Sequence, residues 1–136
     1  MMTDPTRKPS EPVDLASAEA ARKAWSVFQR IAEAWELTRA EQIALLGVRE
    51  QEFCELVASQ TEHGLDNATL ERISYVLGIY AALHALFPLA DRADAWVRRP
   101  NSAPGFRGGS ALEYMMHGDV SGLAAVRQYL DAQVGV

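Results

Sequence analysis

The sequence predicts an all-α protein, in which an N-terminal helix-turn-helix unit packs through a long central helix on a small C-terminal helical module. Three observations lead to this prediction. Apolar residues recur at the helical period in most segments. Capping boxes and glycines mark where several helices begin and end. The central segment, residues 67–87, is apolar almost all round, so it belongs in the interior of a helical core.

Length and composition restrict the chain to one domain, or to two small helical units that share a core. The chain has 136 residues, and 49% of them are hydrophobic. Residues 1–65 carry 7 basic and 11 acidic side chains, and residues 66–136 carry 6 and 7, which gives net charges of −4 and −1. Neither half has the basic excess expected of a lone monomer that neutralises DNA phosphates.

The first 14 residues differ from the rest in composition. They contain three prolines among Thr, Ser, Asp and Glu, which predicts a disordered arm over residues 1–14. No apolar run follows the basic residues, so we expect no signal peptide. The single cysteine, Cys54, leaves no internal disulfide and favours a cytoplasmic protein. It falls in a helical pattern, where we predict a buried thiol.

A helix-turn-helix corner is predicted between two N-terminal helices. A first helix over residues 16–35 carries two tryptophans on one apolar stripe. Thr38 and Glu41 then form a capping box that opens a short helix, and Gly47 suits its left-handed end. The helical period resumes over residues 50–59. Two short helices joined by a tight turn are typical of this motif, although many helical bundles contain the same corner.

Two interpretations of this corner remain open. If it reads DNA, its second helix lies in the major groove. Arg49, Gln51 and Ser59 are then the side chains that could contact base edges. Three glutamates on the same helix would repel phosphates. The second interpretation is a helical corner used for packing or dimerisation.

The central helix is predicted over residues 67–87. Asn67 or Asp66 caps its start, and Pro88 cannot continue its hydrogen-bond ladder. Its apolar run is shorter than the roughly 20 residues that span a bilayer, so we expect no membrane segment. Gly78 is unfavourable in mid-helix. This glycine either has no special role or marks a position where another helix crosses closely.

The C-terminal part is predicted as short helices around a Pro- and Gly-rich loop. This loop, residues 98–110, contains one large apolar side chain, Phe106. A second capping box, Ser110 with Glu113, opens the helix that follows it. On this short helix, Tyr114, Met115 and Met116 are expected to be core residues. The other two helices are expected over residues 91–98 and 121–133.

We find no arrangement of residues that indicates catalysis. The three histidines, His63, His84 and His117, fall in three different predicted elements. A zinc site needs about four ligands, which one cysteine and scattered histidines do not supply. The segment GFRGGS lacks the Lys-Ser/Thr pair of a phosphate-binding loop and follows no strand. We therefore predict a protein that is not an enzyme and that holds no metal and no cofactor.

The order of the elements resembles the Xre/MbcA/ParS antitoxin family from about Trp35 to Leu130. The most specific parts are the central block and the spacing of Trp, Pro-Asn and Phe-x-Gly after it. One departure is Ala111, where the family often has proline. The matching segments are AWELTRAEQIALLGV (34–48), LERISYVLGIYAALHALF (70–87), AWVRRPN (95–101), GFRGGSALEYMMHG (105–118) and VRQYLDA (126–132).

The resemblance implies a partner, a RES-domain toxin that degrades NAD or transfers ADP-ribose from it. It implies an Xre-like helix-turn-helix unit over residues 15–66, a connecting helix over 67–88 and a toxin-binding module over 89–136. The end of the chain is expected to block the toxin's active site. Such antitoxins often repress their own operon and form homodimers within a larger complex. The alternative is a DNA-binding repressor whose C-terminal part only dimerises.

The residues that the resemblance assigns to toxin binding lie in the C-terminal module. Arg127 and Tyr129 are the expected interface anchors, because Arg and Tyr combine large contact area with directed polar groups. Buried aromatic side chains and a glycine would build the module's shape. The assigned residues are Trp96, Arg99, Pro100, Asn101, Phe106, Gly108, Arg127, Tyr129, Leu130 and Val136.

Overall fold

A computed structural model describes residues 15–59, 61, 64–103, 105–106, 108–117 and 119–135. The predicted arm, His63 and Val136 lie outside the described residues. The described helices are α1 (Leu15–Ala34), α2 (Arg39–Leu46), α3 (Glu50–Ser59), α4 (Asn67–Leu86), α5 (Ala90–Ala95), a 3₁₀ helix (Trp96–Arg98), α6 (Ala111–Met116) and α7 (Ser121–Val134).

Helices α2, α4 and α6 begin where capping residues predict, and the all-α class is confirmed. Thr38 Oγ1 accepts a hydrogen bond from the Glu41 amide at 3.1 Å, and the Glu41 carboxylate accepts one from the Thr38 amide at 2.9 Å. Ser110 and Glu113 make the same pair of bonds at 3.1 and 3.0 Å. Asp66 is the residue that caps the start of α4. Each cap satisfies amide groups that a helix start leaves unpaired.

Helix α4 lies at the centre of the fold and packs against α1, α5 and α7. Its inward side chains, such as Ile73 and Leu83, are at most 1% exposed. An apolar cluster joins residues from both halves of the chain around it. Among the described residues, the largest fully buried side chains are Trp25, Phe28, Ile31, Trp35, Leu45, Leu46, Ile73, Ile79, Leu83, Met115, Leu123 and Leu130.

Helix α3 buries only part of its apolar side chains. It contributes Phe53 to the core and half-buries Leu56, whereas Val57 is 41% exposed. Cys54 is also exposed, so the prediction of a buried thiol is wrong. The reason is that α3 packs through a narrow stripe, and a residue next to Phe53 is turned by about 100° around the helix. The Cys54 sulfur accepts a hydrogen bond from Arg39 Nη2 at 2.7 Å.

The predicted helix over residues 91–98 forms as two pieces, α5 and the 3₁₀ helix. In the described part of the chain, no helix combines the length and the hydropathy that crossing a bilayer requires.

A hydrogen bond of 2.8 Å between His84 Nε2 and Asp94 Oδ1 joins α4 to α5. This bond fixes the start of the C-terminal module on the central helix.

Arg98, the last residue of the 3₁₀ helix, ties the C-terminal module to the N-terminal unit. Its Nε donates to the carbonyl of Trp35 at 3.0 Å, and its Nη2 donates to the carbonyl of Glu36 at 2.6 Å. The same guanidinium forms an ion pair with Glu41 at 2.7 Å. Glu36 has φ +56°, a conformation that non-glycine residues rarely adopt, and the bond from Arg98 supports it.

The ion pair with Arg98 changes the titration of Glu41. The hydrogen bond from the Arg98 side chain is the largest cause that lowers the pKa of Glu41 below its ordinary value of 4.5. The hydrogen bond from the Thr38 amide lowers the pKa further, while partial burial opposes the change. Glu41 therefore caps α2 and holds the C-terminal module with one ionised carboxylate.

We expect Arg98→Ala to lower the free energy of unfolding by about 1–2 kcal/mol at neutral pH, because one substitution removes the hydrogen bonds to Trp35, Glu36 and Glu41. The difference from the wild type should shrink in acid. The stabilisation by a carboxylate of lowered pKa is present above the ordinary value of 4.5 and is lost as pH falls through the lowered native pKa. Urea unfolding from neutral to acid pH measures both effects.

The matched control is Arg92→Ala, which removes an exposed arginine of α5. Its effect should stay within about 0.5 kcal/mol. An Arg98→Ala protein as stable as this control at neutral pH would contradict the bridging role.

Candidate functional site

Four aromatic rings from four elements meet at one side of the C-terminal module. Phe106, from the loop, lies at the centre and is 8% exposed. Its ring meets those of Trp96, Tyr114 and Tyr129 edge-on, with centroids 6.2, 5.7 and 5.5 Å away. Trp96 and Tyr129 stack at 6.4 Å with 18° between their planes. We call these four residues the aromatic cluster. Edge-on and offset contacts of this kind are the favoured arrangements of aromatic pairs.

The loop that carries Phe106 is held by its own backbone. The Asn101 amide donates to the carbonyl of Gly109 at 2.9 Å, and the Gly108 amide donates to the carbonyl of Asn101 at 3.2 Å. The Asn101 side chain accepts a bond from the Ala103 amide at 2.9 Å. Gly108 has φ +80°, which glycine adopts without strain. Asn101 and Gly108 therefore shape the loop, as the sequence analysis expects for the glycine.

An open groove of about 600 Å³ runs beside the aromatic cluster. Phe106 and Tyr114 line it, and Glu113 and His117 add polar groups. His117 Nδ1 lies 2.7 Å from the carbonyl of Glu113, so this nitrogen acts as a donor. A mostly apolar groove with a few polar groups suits the side chains of a protein partner.

Tyr114 is a surface residue that the sequence analysis assigns to the core. Met115 is fully buried, as predicted, whereas Met116 is only half-buried and Tyr114 is 40% exposed. Tyr114 precedes Met115 by one residue, so it is turned by about 100° away from the buried side of α6. The spacing of Ala111, Leu112 and Met115 in the sequence indicates the exposure of Tyr114, since these three residues share the inner face of α6.

The predicted toxin-binding residues differ in how much surface they offer. Leu130 is 1% exposed and packs in the core, and Phe106 is almost fully buried. Val136 lies outside the described residues. The exposed members are Arg99, Pro100 and Gly108, and the half-buried members are Trp96, Asn101, Arg127 and Tyr129.

The two expected anchors face different sides of α7. Tyr129 belongs to the aromatic cluster, whereas Arg127 lies against α4 at Gly78. Residues two apart are separated by about 200° around a helix, which explains the division. Arg127 Nε also donates to both carboxylate oxygens of Asp131, at 3.0 and 3.2 Å. The sequence leaves open whether another helix crosses closely at Gly78. In the structure, the side chain of Arg127 from α7 makes the close approach.

Arg49, one of the three residues predicted to contact DNA, lies beside a carboxylate. The Arg49 side chain is 80% exposed, but its Nε is 3.3 Å from Glu52. Hydrogen bonds from the backbone and side chain of Arg49 lower the pKa of Glu52 below its ordinary value. Gln51 is exposed and Ser59 half-buried. Arg39 of α2 is 3.5 Å from Glu50. Because each arginine is paired with a glutamate, α3 presents an acidic surface.

The described segments contain no group of three or more His, Cys, Asp or Glu residues that could hold a metal ion. The His84–Asp94 pair lies against Tyr80, whose ring centroid is 4.3 Å from that of the histidine. Its position between α4 and α5 indicates a packing role for the pair.

Comparison with known proteins assigns the aromatic cluster to a recognised domain. Residues 82–135 match the antitoxin Xre/MbcA/ParS C-terminal toxin-binding domain. The uncharacterized protein y4oB of Sinorhizobium fredii (strain NBRC 101917 / NGR234) is 44% identical over 136 residues, which cover 98% of this chain and 99% of that protein. The matched range contains the predicted toxin-binding residues from Trp96 to Leu130.

The packing of α6 on α7 depends on Gly122, which is buried. A Cβ at this position would lie 2.6 Å from the backbone oxygen of Tyr114. Since backbone cannot move aside as a side chain does, we expect Gly122→Ala to reduce the free energy of unfolding by about 2 kcal/mol. Chemical denaturation measures this change, with Gln128→Ala on the exposed side of α7 as control. Stability equal to that of the control would contradict the tight contact.

Proposed function

Because the chain belongs to the Xre/MbcA/ParS antitoxin family and carries its toxin-binding domain at residues 82–135, we propose that it neutralises a RES-domain toxin. In this proposal the toxin degrades NAD or transfers ADP-ribose from it, and the antitoxin covers the toxin's active site. The antitoxin acts by occlusion and catalyses nothing itself. Since NAD is the toxin's substrate, both proteins would act in the cytoplasm, with the antitoxin as a homodimer within a larger complex.

The single observation that carries the proposal is a preformed surface inside the matched domain. The aromatic cluster is built on packed helices and a hydrogen-bonded loop, and Tyr114 at its edge is 40% exposed. Aromatic side chains dominate the binding energy of many protein interfaces. A surface that is already ordered loses little conformational entropy when a partner binds. The cluster and the groove beside it thus suit recognition of another folded protein.

The end of α7 supports occlusion as the mode of inhibition. Leu130 is the last side chain of this helix that is buried in the core. The helix continues for another turn to Val134, which is 37% exposed, and Gly135 follows with φ +92°. The last turn is therefore not required by the core. A partner's pocket could cover it without any change in the fold.

The acidic surface of α3 gives no support to a second candidate function. Operator binding would need basic charge, and Arg39 and Arg49 both lie beside glutamates. The resemblance implies that the antitoxin represses its own operon. With an acidic surface on α3, binding to the operator would depend on basic charge supplied by a partner.

The direct test mixes the purified chain with the product of the neighbouring gene, which the proposal expects to be a RES-domain toxin, and follows NAD. We expect NAD consumption to fall to background once the antitoxin equals the toxin in amount. Size-exclusion chromatography of the same mixture should show a stable complex. Continued NAD loss while both proteins are folded and the antitoxin is in excess would refute the proposed function.

Occlusion by the chain end predicts a separate effect of truncation. A variant that ends at Gln133 should keep its fold and still bind the toxin, because it retains every residue of α7 that is buried in the core. Its concentration for half-inhibition should rise by about tenfold, equivalent to about 1.4 kcal/mol of lost contacts. Removal of three residues from the N-terminus is the control. Unchanged inhibition by the truncated protein would place the blocking contact elsewhere.

A further inference from the structure

Gly78 is a glycine in the middle of α4, where glycine is an unfavourable residue. The structure gives a reason for it. A Cβ built at this position would overlap the Nη1 and Cζ atoms of Arg127. Every other amino acid has a Cβ, so only glycine allows the guanidinium to lie against the backbone of α4.

A second contact holds the same guanidinium from α7. Arg127 Nε is 3.0 Å from Asp131 Oδ2 and 3.2 Å from Oδ1, one helical turn further along. The Arg127 side chain is nevertheless 39% exposed. Arg127 is therefore oriented by two helices and still accessible from solvent. The bonds to Asp131 use Nε alone, so the two Nη nitrogens remain as donors for a partner.

We propose that Gly78 is a positioning residue for toxin binding, which it serves by holding Arg127 ready for a carboxylate on the toxin. This inference rests on the proposed function. The planar guanidinium donates two parallel N–H bonds to a carboxylate, a geometry that the lysine ammonium does not reproduce. Because Arg127 is already oriented, binding loses little side-chain entropy. Gly78 itself contacts no part of the toxin.

The substitution Gly78→Ala separates positioning from folding. The added methyl group meets the end of a flexible side chain, which can move, whereas the methyl group of Gly122→Ala meets backbone. Alanine also favours the helical conformation of α4. The Gly78→Ala protein should therefore fold, with Arg127 displaced from its position.

The experiment is a double-mutant cycle of Gly78→Ala and Arg127→Ala, with the Kd for the RES-domain toxin and the melting temperature as readouts. We expect each substitution to weaken binding by tenfold or more. The double variant should bind no more weakly than Arg127→Ala, because Gly78 acts only through Arg127. In the Arg127→Ala background, Gly78→Ala should raise the melting temperature, since the space is then free. Arg127→Lys should not restore binding.

The matched control is Ser74→Ala, one turn before Gly78 on the exposed side of α4. It favours the helix in the same way without meeting Arg127, so its Kd should equal that of the wild type. An unchanged Kd for Gly78→Ala would overturn the inference, as would further weakening in the Arg127→Ala background. If the wild type itself fails to bind the toxin, the proposed function fails first, and the inference fails with it.

Discussion

The burial of α4 is the constraint on which the rest of the structure depends. This helix has no continuous polar face, so its apolar side chains must be covered by other elements. Helix α1 covers it with residues from the start of the chain, and α5 and α7 cover it with residues from the end. The two halves of the chain therefore share one core. Arg98 reinforces this union from the surface, where it bonds to the end of α1 and to Glu41.

The shared core makes the C-terminal module a rigid surface. Phe106 is held between the 3₁₀ helix, α6 and α7, and the backbone bonds of Asn101 close the loop around it. The module can thus present aromatic side chains without first ordering them. Arg127 is held in a comparable way on the other side of α7, by Asp131 and by the space at Gly78. The proposed occlusion of a toxin's pocket would need this kind of preformed shape.

Local signals are sufficient for the starts of α2, α4 and α6 but not for the exposure of single residues. The two capping boxes involve residues three positions apart, so the sequence contains all the atoms that decide them. The sequence pattern predicts that Cys54 and Tyr114 are buried, and both are exposed. Both lie on short or weakly packed helices, where a rotation of one residue moves a side chain from core to solvent. That rotation is decided by the neighbouring helices, which the local pattern does not contain.

Periodicity and capping act over a few residues, so they are enough to predict the helical class, the central position of α4 and the starts of α2, α4 and α6. Which side chains meet across the chain depends on how the helices pack. This packing places Arg127 against Gly78, separates it from Tyr129, and brings Arg98 to Glu41. The physical reason is that such contacts join residues about 50 positions apart, and only the packing of helices around a common core brings these residues together.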